Sequence, residues 1–379
     1  VWWYGRPAMP VSSTSVIVAD RVLTPAGWVE HAAVHIDGAV ITAIEPSSAP
    51  ADVALLAPGL IDLQVNGIDD VDVTRARGGD WARLDRLLLA QGVTTWCPTL
   101  VTMRRDAYAE PLARIGTAMQ RPDDGRPTIA GAHLEGPFLG RLTGAHRPEL
   151  VDEIDLEWLA ALPPQVAMVT LGAEQHTAAE AVAMLRSRGV LVSLGHTAAT
   201  DDELDRVGGA GAAMVTHLFN AMTGLHHRTP GVAAWVLTHE TIAAGLIADG
   251  VHVHPRMLAL AFRVLGPARI ALVTDAVAWR AGSAGPVGLA LRDGAPRLAD
   301  GTLAGSALTL DGAVRTCVAA GVALEHALHA ASATPARLLG LTDRGIIAPG
   351  RRADLVAFDE QLHVSGVWAA GVGAALAQP

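Results

Sequence analysis

The stretch Thr128-Ile-Ala-Gly-Ala-His-Leu-Glu-Gly-Pro-Phe138 is an apolar run that ends in two polar side chains, His133 and Glu135, just before a Gly-Pro stop. Side chains of a strand alternate between its two faces, so residues 133 and 135 share one face. A polar pair at the end of an apolar strand is what a parallel β-barrel places at its carboxyl rim, where the chemistry of that architecture is built. The fold therefore turns on whether the pattern recurs.

It recurs along the chain. Short apolar segments fall at Leu60–Asn66, Val93–Leu100, Thr128–Glu135, Gln165–Gly172, Val190–His196, Ala213–Asn220, Thr241–Asp249 and Arg269–Asp275. Many are followed by an amphipathic stretch at helical spacing, such as Asp80–Leu89. Eight buried strands alternating with helices predict an α/β fold of the (β/α)8 TIM-like barrel type, whereas an open doubly wound sheet more often stops at five or six. No Gly-rich dinucleotide fingerprint follows the first segment.

Outside the eight, Val16 to Glu45 alternates with a period of two and carries turn signals at Pro25-Ala26-Gly27 and Asp37-Gly38, which predicts β-hairpins. A similar tract returns at Ala353–Phe358, so the two chain ends are expected to pair into a small β-sandwich module. Pro-Gly pairs at residues 58–59 and 349–350 set the expected boundaries. The module then takes residues 1–57 and 349–379, and the barrel takes 58–348.

A chain of 379 residues accommodates one such barrel, of about 250 residues, and a modest second unit. Half of the residues are hydrophobic and 17% are charged, enough for a large core. The net charge of -10 gives no basic face for nucleic acid. Every basic residue is arginine, which excludes Schiff-base chemistry, a phosphate-loop lysine and a carbamylated lysine bridging two metals. Cys97 and Cys317 form no C-x-x-C pair and read as buried thiols of a reducing compartment, the cytoplasm. No run of about 18 apolar residues suggests a membrane span. The opening VWWYGRPAMP lacks the organisation of a signal peptide and reads as a translated leader.

The segment ends carry Asp62, Gln64 and Asn66; His133 and Glu135; His196 and Thr197; Thr216, His217 and Asn220; and Thr274 and Asp275. Any one of these histidines could be a satisfied core residue. Three metal-competent side chains and an aspartate at four separate strand ends are poorly explained that way. Glu135, His196 and His217 form the three-ligand set with an open fourth position that catalytic zinc favours. A metal so held brings the pKa of bound water toward about 7 and polarises a carbonyl. Asp275 is then the proton handler, its bland alternative being a helix N-cap after the eighth strand.

The runs PGLIDLQVNG, HLEGPF, GAHRPE, LGHTAAT, THLFNAM, IADGVHV, LVTDA, GTLAGSALT and GRRADLVAF follow one another in this order. From Val16 to Phe358 the chain thereby resembles the N-acetylglucosamine-6-phosphate deacetylase family of the amidohydrolase superfamily. The resemblance implies one divalent metal per subunit on Glu135, His196 and His217, zinc first, with iron or another divalent metal as alternatives. It makes Asp275 the acid and base, and leaves His133 outside the ligand set. His146 would help polarise the acetyl carbonyl, and Ala145 would touch the sugar through its backbone.

Further contacts to the sugar phosphate are implied for Asn220, Ala221, Asp249 and His252, with Leu303, Ala304 and Gly305 closing over the ligand. Arg228 would grip phosphate across a subunit interface, which implies a homodimer. Many superfamily members carry His-x-His where Gln64 and Asn66 stand; amides are poor ligands for a transition metal, so the pair reads as a remnant or support of a second metal position. The implied reaction is hydrolysis of N-acetylglucosamine 6-phosphate to glucosamine 6-phosphate and acetate, in amino-sugar catabolism or cell-wall recycling. The alternatives are an N-acetylgalactosamine 6-phosphate deacetylase and a catalytically silent sugar-phosphate-binding barrel. The chain departs from its relatives at Gly67-Ile-Asp-Asp70, in a short FLGRLT segment, and at Arg147, His226 and His227.

Overall fold

A computed structural model describes residues 14–122 and 125–374. The opening decapeptide lies outside the described residues.

Each of the eight apolar segments contains a strand, and successive strands are parallel neighbours. In chain order they are Leu60–Val65, Val93–Val101, Ala132–Glu135, Val166–Leu171, Leu191–Leu194, Met214–Val215, Ala243–Leu246 and Ile270–Leu272. The ring closes between the first and the last: Val65 bridges Ala276 in parallel, the Asp275 N–H donates to the Gln64 carbonyl at 2.9 Å, and the Asn66 N–H donates to the Ala276 carbonyl at 2.8 Å. Strands covered on both faces are apolar almost throughout, which is why each segment reads as a run and not as an alternation.

Two segments differ from their sequence reading. The third is split, Thr128–Ile129 pairing only with the second barrel strand before a new strand starts at Ala132. The break falls at Gly131, whose φ of +142° and closeness to Ala167 suit no other residue: a Cβ there would stand 2.5 Å from the Ala167 methyl. The sixth strand stops at Val215, so Thr216 to Asn220 form a loop on the rim.

The helix Asp80–Leu89 has the bounds its periodicity predicts; Trp81, Leu84 and Leu88, spaced at three and four, are its buried face. After the fifth strand the helix Asp201–Gly209 starts at once, because Thr200 and Glu203 cap each other's main-chain N–H groups. The loop holding His196 is thereby kept short.

Both chain ends build the second unit, one continuous seven-stranded sheet. Its order is Val372–Gly373, Val364–Ala369, Leu355–Phe358, Val53–Pro58, Thr14–Thr24, Gly27–Asp37 and Val40–Pro46. Val40 bridges Arg352, and the Ile41 N–H donates to the Arg351 carbonyl at 2.8 Å. The sheet so curls around its own core of Ile17, Val34, Ile36, Ile41, Leu56 and Leu355. Gly59 alone separates its strand Val53–Pro58 from the first barrel strand.

Asp354 ties this sheet to the barrel. Its buried carboxylate accepts from Arg352 Nε at 3.0 Å and the Ala370 N–H at 2.8 Å, and faces Arg344 Nη1 at 3.4 Å; that same nitrogen donates to Thr95 of the second barrel strand at 3.0 Å. Removing one member of a buried ion pair leaves a charge uncompensated, at about 3–5 kcal/mol. Asp354→Ala is therefore expected to lower the urea midpoint by that much stability at unchanged slope. Asp106→Ala, which breaks an ion pair exposed on both sides, is expected to leave the midpoint nearly unchanged. Equilibrium urea unfolding of the two variants compares them directly.

Candidate active site

The rim residues are aimed inward by the backbone. Glu135 is the last residue of the third strand, while His196, His217 and Asp275 lie just past the fifth, sixth and eighth. The latter three have φ of +52°, +34° and +49°, the left-handed region that non-glycine residues seldom adopt. Such positions cost on the order of 1–3 kcal/mol each and persist where the surroundings over-determine them. Here main-chain bonds hold both sides: Gly195 N–H to Leu171 O at 3.1 Å, Leu218 N–H to Gly245 O at 2.8 Å, and Ser306 N–H to Asp275 O at 2.9 Å.

Glu135, His196 and His217 converge, one donor atom of each lying within 4.8 Å of the others. Glu135 Oε1 stands 3.3 Å from His196 Nε2 and 3.1 Å from His217 Nε2, and the two nitrogens are 3.1 Å apart. His196 Nδ1 lies 3.1 Å from the Leu142 carbonyl, which can only accept, so that nitrogen carries the proton and Nε2 presents a lone pair. Atoms gathered this closely can share a proton or hold a cation between them. Donors at 2.0–2.1 Å around a tetrahedral zinc are separated by about 3.3 Å, so the residues fit such an ion.

Electrostatics follow from burial. Glu135 is held well below the ordinary carboxylate range: desolvation opposes its charge, and the close imidazoles of His146, His196 and His217 outweigh it. His196 is pushed down to about 4 by burial and by the neighbouring His146. His217 is raised, because its contact with Glu135 overcomes desolvation. Asp275 is pushed up to about 8 by burial and by the charge of Glu135.

The amides Gln64 and Asn66 connect the two carboxylates. Gln64 Nε2 donates to Glu135 Oε1 at 2.9 Å and to Asp275 Oδ1 at 3.1 Å, and Asn66 Nδ2 donates to the same Asp275 oxygen at 2.7 Å. Both amides thus turn their nitrogens toward acceptors, which leaves the buried Asn66 Oδ1 without a hydrogen-bond partner. Beneath them Asp62 accepts from Thr274 Oγ1 at 2.6 Å and from the Gln64 N–H at 3.1 Å, pinning the first strand to the eighth. His133 is engaged elsewhere: Thr170 Oγ1 lies 2.8 Å from its Nε2 and Thr99 Oγ1 3.3 Å from its Nδ1.

A cavity of about 230 Å³ opens above the cluster. Its walls bring together Asn66, Glu135, Ala145, His146, His196, His217, Asn220, Ala221, His252, Asp275 and the segment Leu303, Ala304 and Gly305. Three residues singled out from the sequence, Gln64, Asp249 and Arg228, are not in the wall, Gln64 standing between the two carboxylates as described. Asp249 lies behind His252, its carboxylate accepting from His252 Nδ1 at 2.6 Å and from the main-chain N–H groups of Val251 and His252. Arg228 is exposed on the segment 224–230. Sequence reasoning missed Val101, Ile247, Val277, Ala284 and Val287, apolar wall residues without a chemical signature, and Thr102, whose Oγ1 meets His146 Nδ1 at 2.8 Å. Polarity at the end of the second strand was the available signal for Thr102.

A parallel eight-stranded barrel with a buried Glu-His-His donor set at its mouth belongs to the class of metal-dependent barrel hydrolases. Residues 55–373 match the model of the amidohydrolase family, and the chain belongs to that family. It is 38% identical over 373 residues to N-acetylgalactosamine-6-phosphate deacetylase of Escherichia coli O157:H7, covering 94% of this chain and 98% of that one. With human N-acetylglucosamine-6-phosphate deacetylase it shares 37% identity over 341 residues, 84% of this chain and 82% of the other. Among solved structures, a variant of the N-acetyl-D-glucosamine-6-phosphate deacetylase of Mycobacterium smegmatis, in complex with N-acetyl-D-glucosamine-6-phosphate, superposes with a TM-score of 0.89 at 32% identity, covering 95% of this chain and 99% of that one.

A ligand that binds only the folded state stabilises it by about 4 kcal/mol at a thousandfold excess over its dissociation constant. Adding Zn²⁺ to chelator-treated protein is expected to raise the melting temperature and to leave one equivalent bound after dialysis. His217→Ala is expected to abolish both effects, read by thermal melts and elemental analysis.

Proposed function

We propose that this enzyme hydrolyses the N-acetyl group of N-acetylglucosamine 6-phosphate, releasing acetate and glucosamine 6-phosphate, with one divalent metal ion per subunit. The observation that carries the reading is the convergence of Glu135, His196 and His217 opposite Asp275 in one cavity whose wall also holds His146. The metal, which we take to be zinc, with iron or another divalent ion as alternatives, would supply polarisation of the acetyl carbonyl and a more acidic water.

The chain's own groups do the rest. Asp275 accepts the proton of the attacking water and returns it to the departing nitrogen. Gln64 and Asn66 hold its Oδ1, leaving Oδ2 for that transfer. His146 donates toward the carbonyl oxygen as negative charge develops there. Asn66 Oδ1 offers an acceptor to a ligand N–H or O–H. Ala145, Asn220, Ala221 and His252 contact the sugar, with Asp249 holding His252, and the segment Leu303 to Gly305 closes over it.

Among the described residues the cavity wall contains no arginine, and the chain has no lysine. A phosphorylated substrate therefore needs a cation from outside the wall. We assign it to Arg228 of the partner subunit in a homodimer, an exposed guanidinium suited to bidentate contact. Cytoplasmic residence fits two buried unpaired cysteines, and no helix among the described residues is long and apolar enough to cross a membrane. We further propose residues 1–57 with 349–379 and residues 58–348 as the two units.

The second reading is the galactose epimer, favoured by the 38% identical relative that the chain covers almost completely. Steady-state rates of acetate release on the two phosphorylated epimers separate the readings: the glucose epimer is expected to give the higher kcat/KM, and a preference for the other reverses the assignment.

Asp275→Asn is expected to lower kcat by about 10²–10⁴-fold at nearly unchanged KM. Asp275 must be ionised to take a proton, so activity is lost as pH falls through its pKa. The bound cation opposes the shift to about 8 caused by burial and Glu135, so the acid limb of kcat/KM should lie below pH 8. Arg228→Ala should raise KM for the phosphorylated sugar. Hybrid dimers of the Asp275→Asn and Arg228→Ala chains should recover about half of the parent activity, having one complete site; hybrids no more active than the Arg228→Ala homodimer would refute the shared site.

A further inference from the structure

We infer that Thr102 is a positioning residue that fixes the tautomer of His146, so that a protonated Nε2 faces the cavity. Thr102 directly follows the second barrel strand and is 1% exposed, so its groups face other protein groups and not bulk water. Its main-chain N–H donates to His146 Nδ1 at 3.3 Å, and its hydroxyl lies 2.8 Å from the same nitrogen. A main-chain N–H can only donate, so Nδ1 must present its lone pair, and a neutral imidazole then carries its proton on Nε2. The hydroxyl has one hydrogen and two acceptors in reach, the Glu135 carbonyl at 3.2 Å and, nearer, Nδ1 at 2.8 Å.

The approach depends on the residue after Glu135. A Cβ at Gly136 would stand 2.1 Å from Thr102 Oγ1, and its φ of +91° is unfavourable for any side chain. The GP of the HLEGP run so admits the threonine hydroxyl to the back of the histidine ring.

His146 and His196 make the case by contrast. Their rings stand edge to face with centroids 4.4 Å apart. The back of His196 meets a carbonyl, which leaves a lone pair on its Nε2. The back of His146 meets an N–H, which leaves a proton there. Two adjacent imidazoles are thereby given opposite duties, one to hold a cation and one to donate to an oxygen. The reverse tautomer of His146 would turn a lone pair toward Glu135 Oε2, 3.7 Å away.

The assignment rests on the proposed function only for the use made of the Nε2 proton, and its test reads the ring directly. In zinc-loaded enzyme labelled with ¹⁵N-histidine, the His146 signals, identified by their loss in His146→Asn, should show an unprotonated Nδ1 and a protonated Nε2. Thr102→Val keeps the N–H and the side-chain shape but removes the hydroxyl. It is expected to introduce a population with Nδ1 protonated and to lower kcat about 3- to 10-fold at unchanged KM, the scale of one hydrogen bond. Thr102→Ser should restore both. Parent enzyme with Nδ1 protonated, or a Thr102→Val spectrum identical to the parent's, would overturn the assignment. A parent that released no acetate would refute the proposed function while leaving these spectra readable.

Discussion

Two carboxylates, Glu135 and Asp275, share one buried amide donor, Gln64 Nε2, and cannot both hold a negative charge there without a cation beside them. Burial and the charge of Glu135 push Asp275 up to about 8, while three imidazoles keep Glu135 ionised. Pairs of titratable groups whose surroundings drive their pKa values apart mark acid and base assignments. The surroundings thus separate the pair, favouring the charged form of one carboxylate and the protonated form of the other.

Much of the surrounding architecture maintains that arrangement. Ring closure between the first and last strands puts Gln64 and Asn66 against Asp275, and Asp62 fastens the closure by accepting from both sides of it. Below the donors, His133, Thr170, Thr216 and Ser193 form a hydrogen-bonded belt with contacts of 2.6–2.8 Å. A satisfied polar layer of this kind fixes rotamers more firmly than apolar packing alone. The left-handed turns at His196, His217 and Asp275 then cost backbone strain against a scaffold that does not yield.

The strands and the helix Asp80–Leu89 were legible in the sequence because their signal is burial, and burial leaves apolar periodicity. Glu135, His196, His217 and Asp275 were legible because polar residues at the ends of such runs violate that pattern. What escaped was decided by backbone geometry. The split in the third strand depends on the approach of Gly131 to Ala167, a contact between residues distant in the chain. Ala284 and Val287 reach the cavity from the short hairpin Ser283–Gly288, outside the strand-helix repeat. Asp249 was readable as a polar residue near a strand end, but not as the group behind His252.

The distribution of charge divides the enzyme's labour in space. Asp275 and the donor set stand at strand ends of a single ring, and His146 reaches the same cavity from the loop that follows the third strand. The remaining wall is largely apolar, with Val101, Ile247, Val277, Ala284, Val287 and Leu303, and among the described residues it holds no arginine. Amide cleavage needs fixed geometry, because proton transfer and oxyanion stabilisation fail over an ångström of misplacement. Recognition of a distant charged group tolerates a longer lever, because a charge-assisted fork can be presented from a mobile surface or a second subunit. On the proposed reading the first requirement is built into the barrel and the second is left to an exposed arginine, so the chemistry can stay constant while the choice of sugar phosphate changes at the rim.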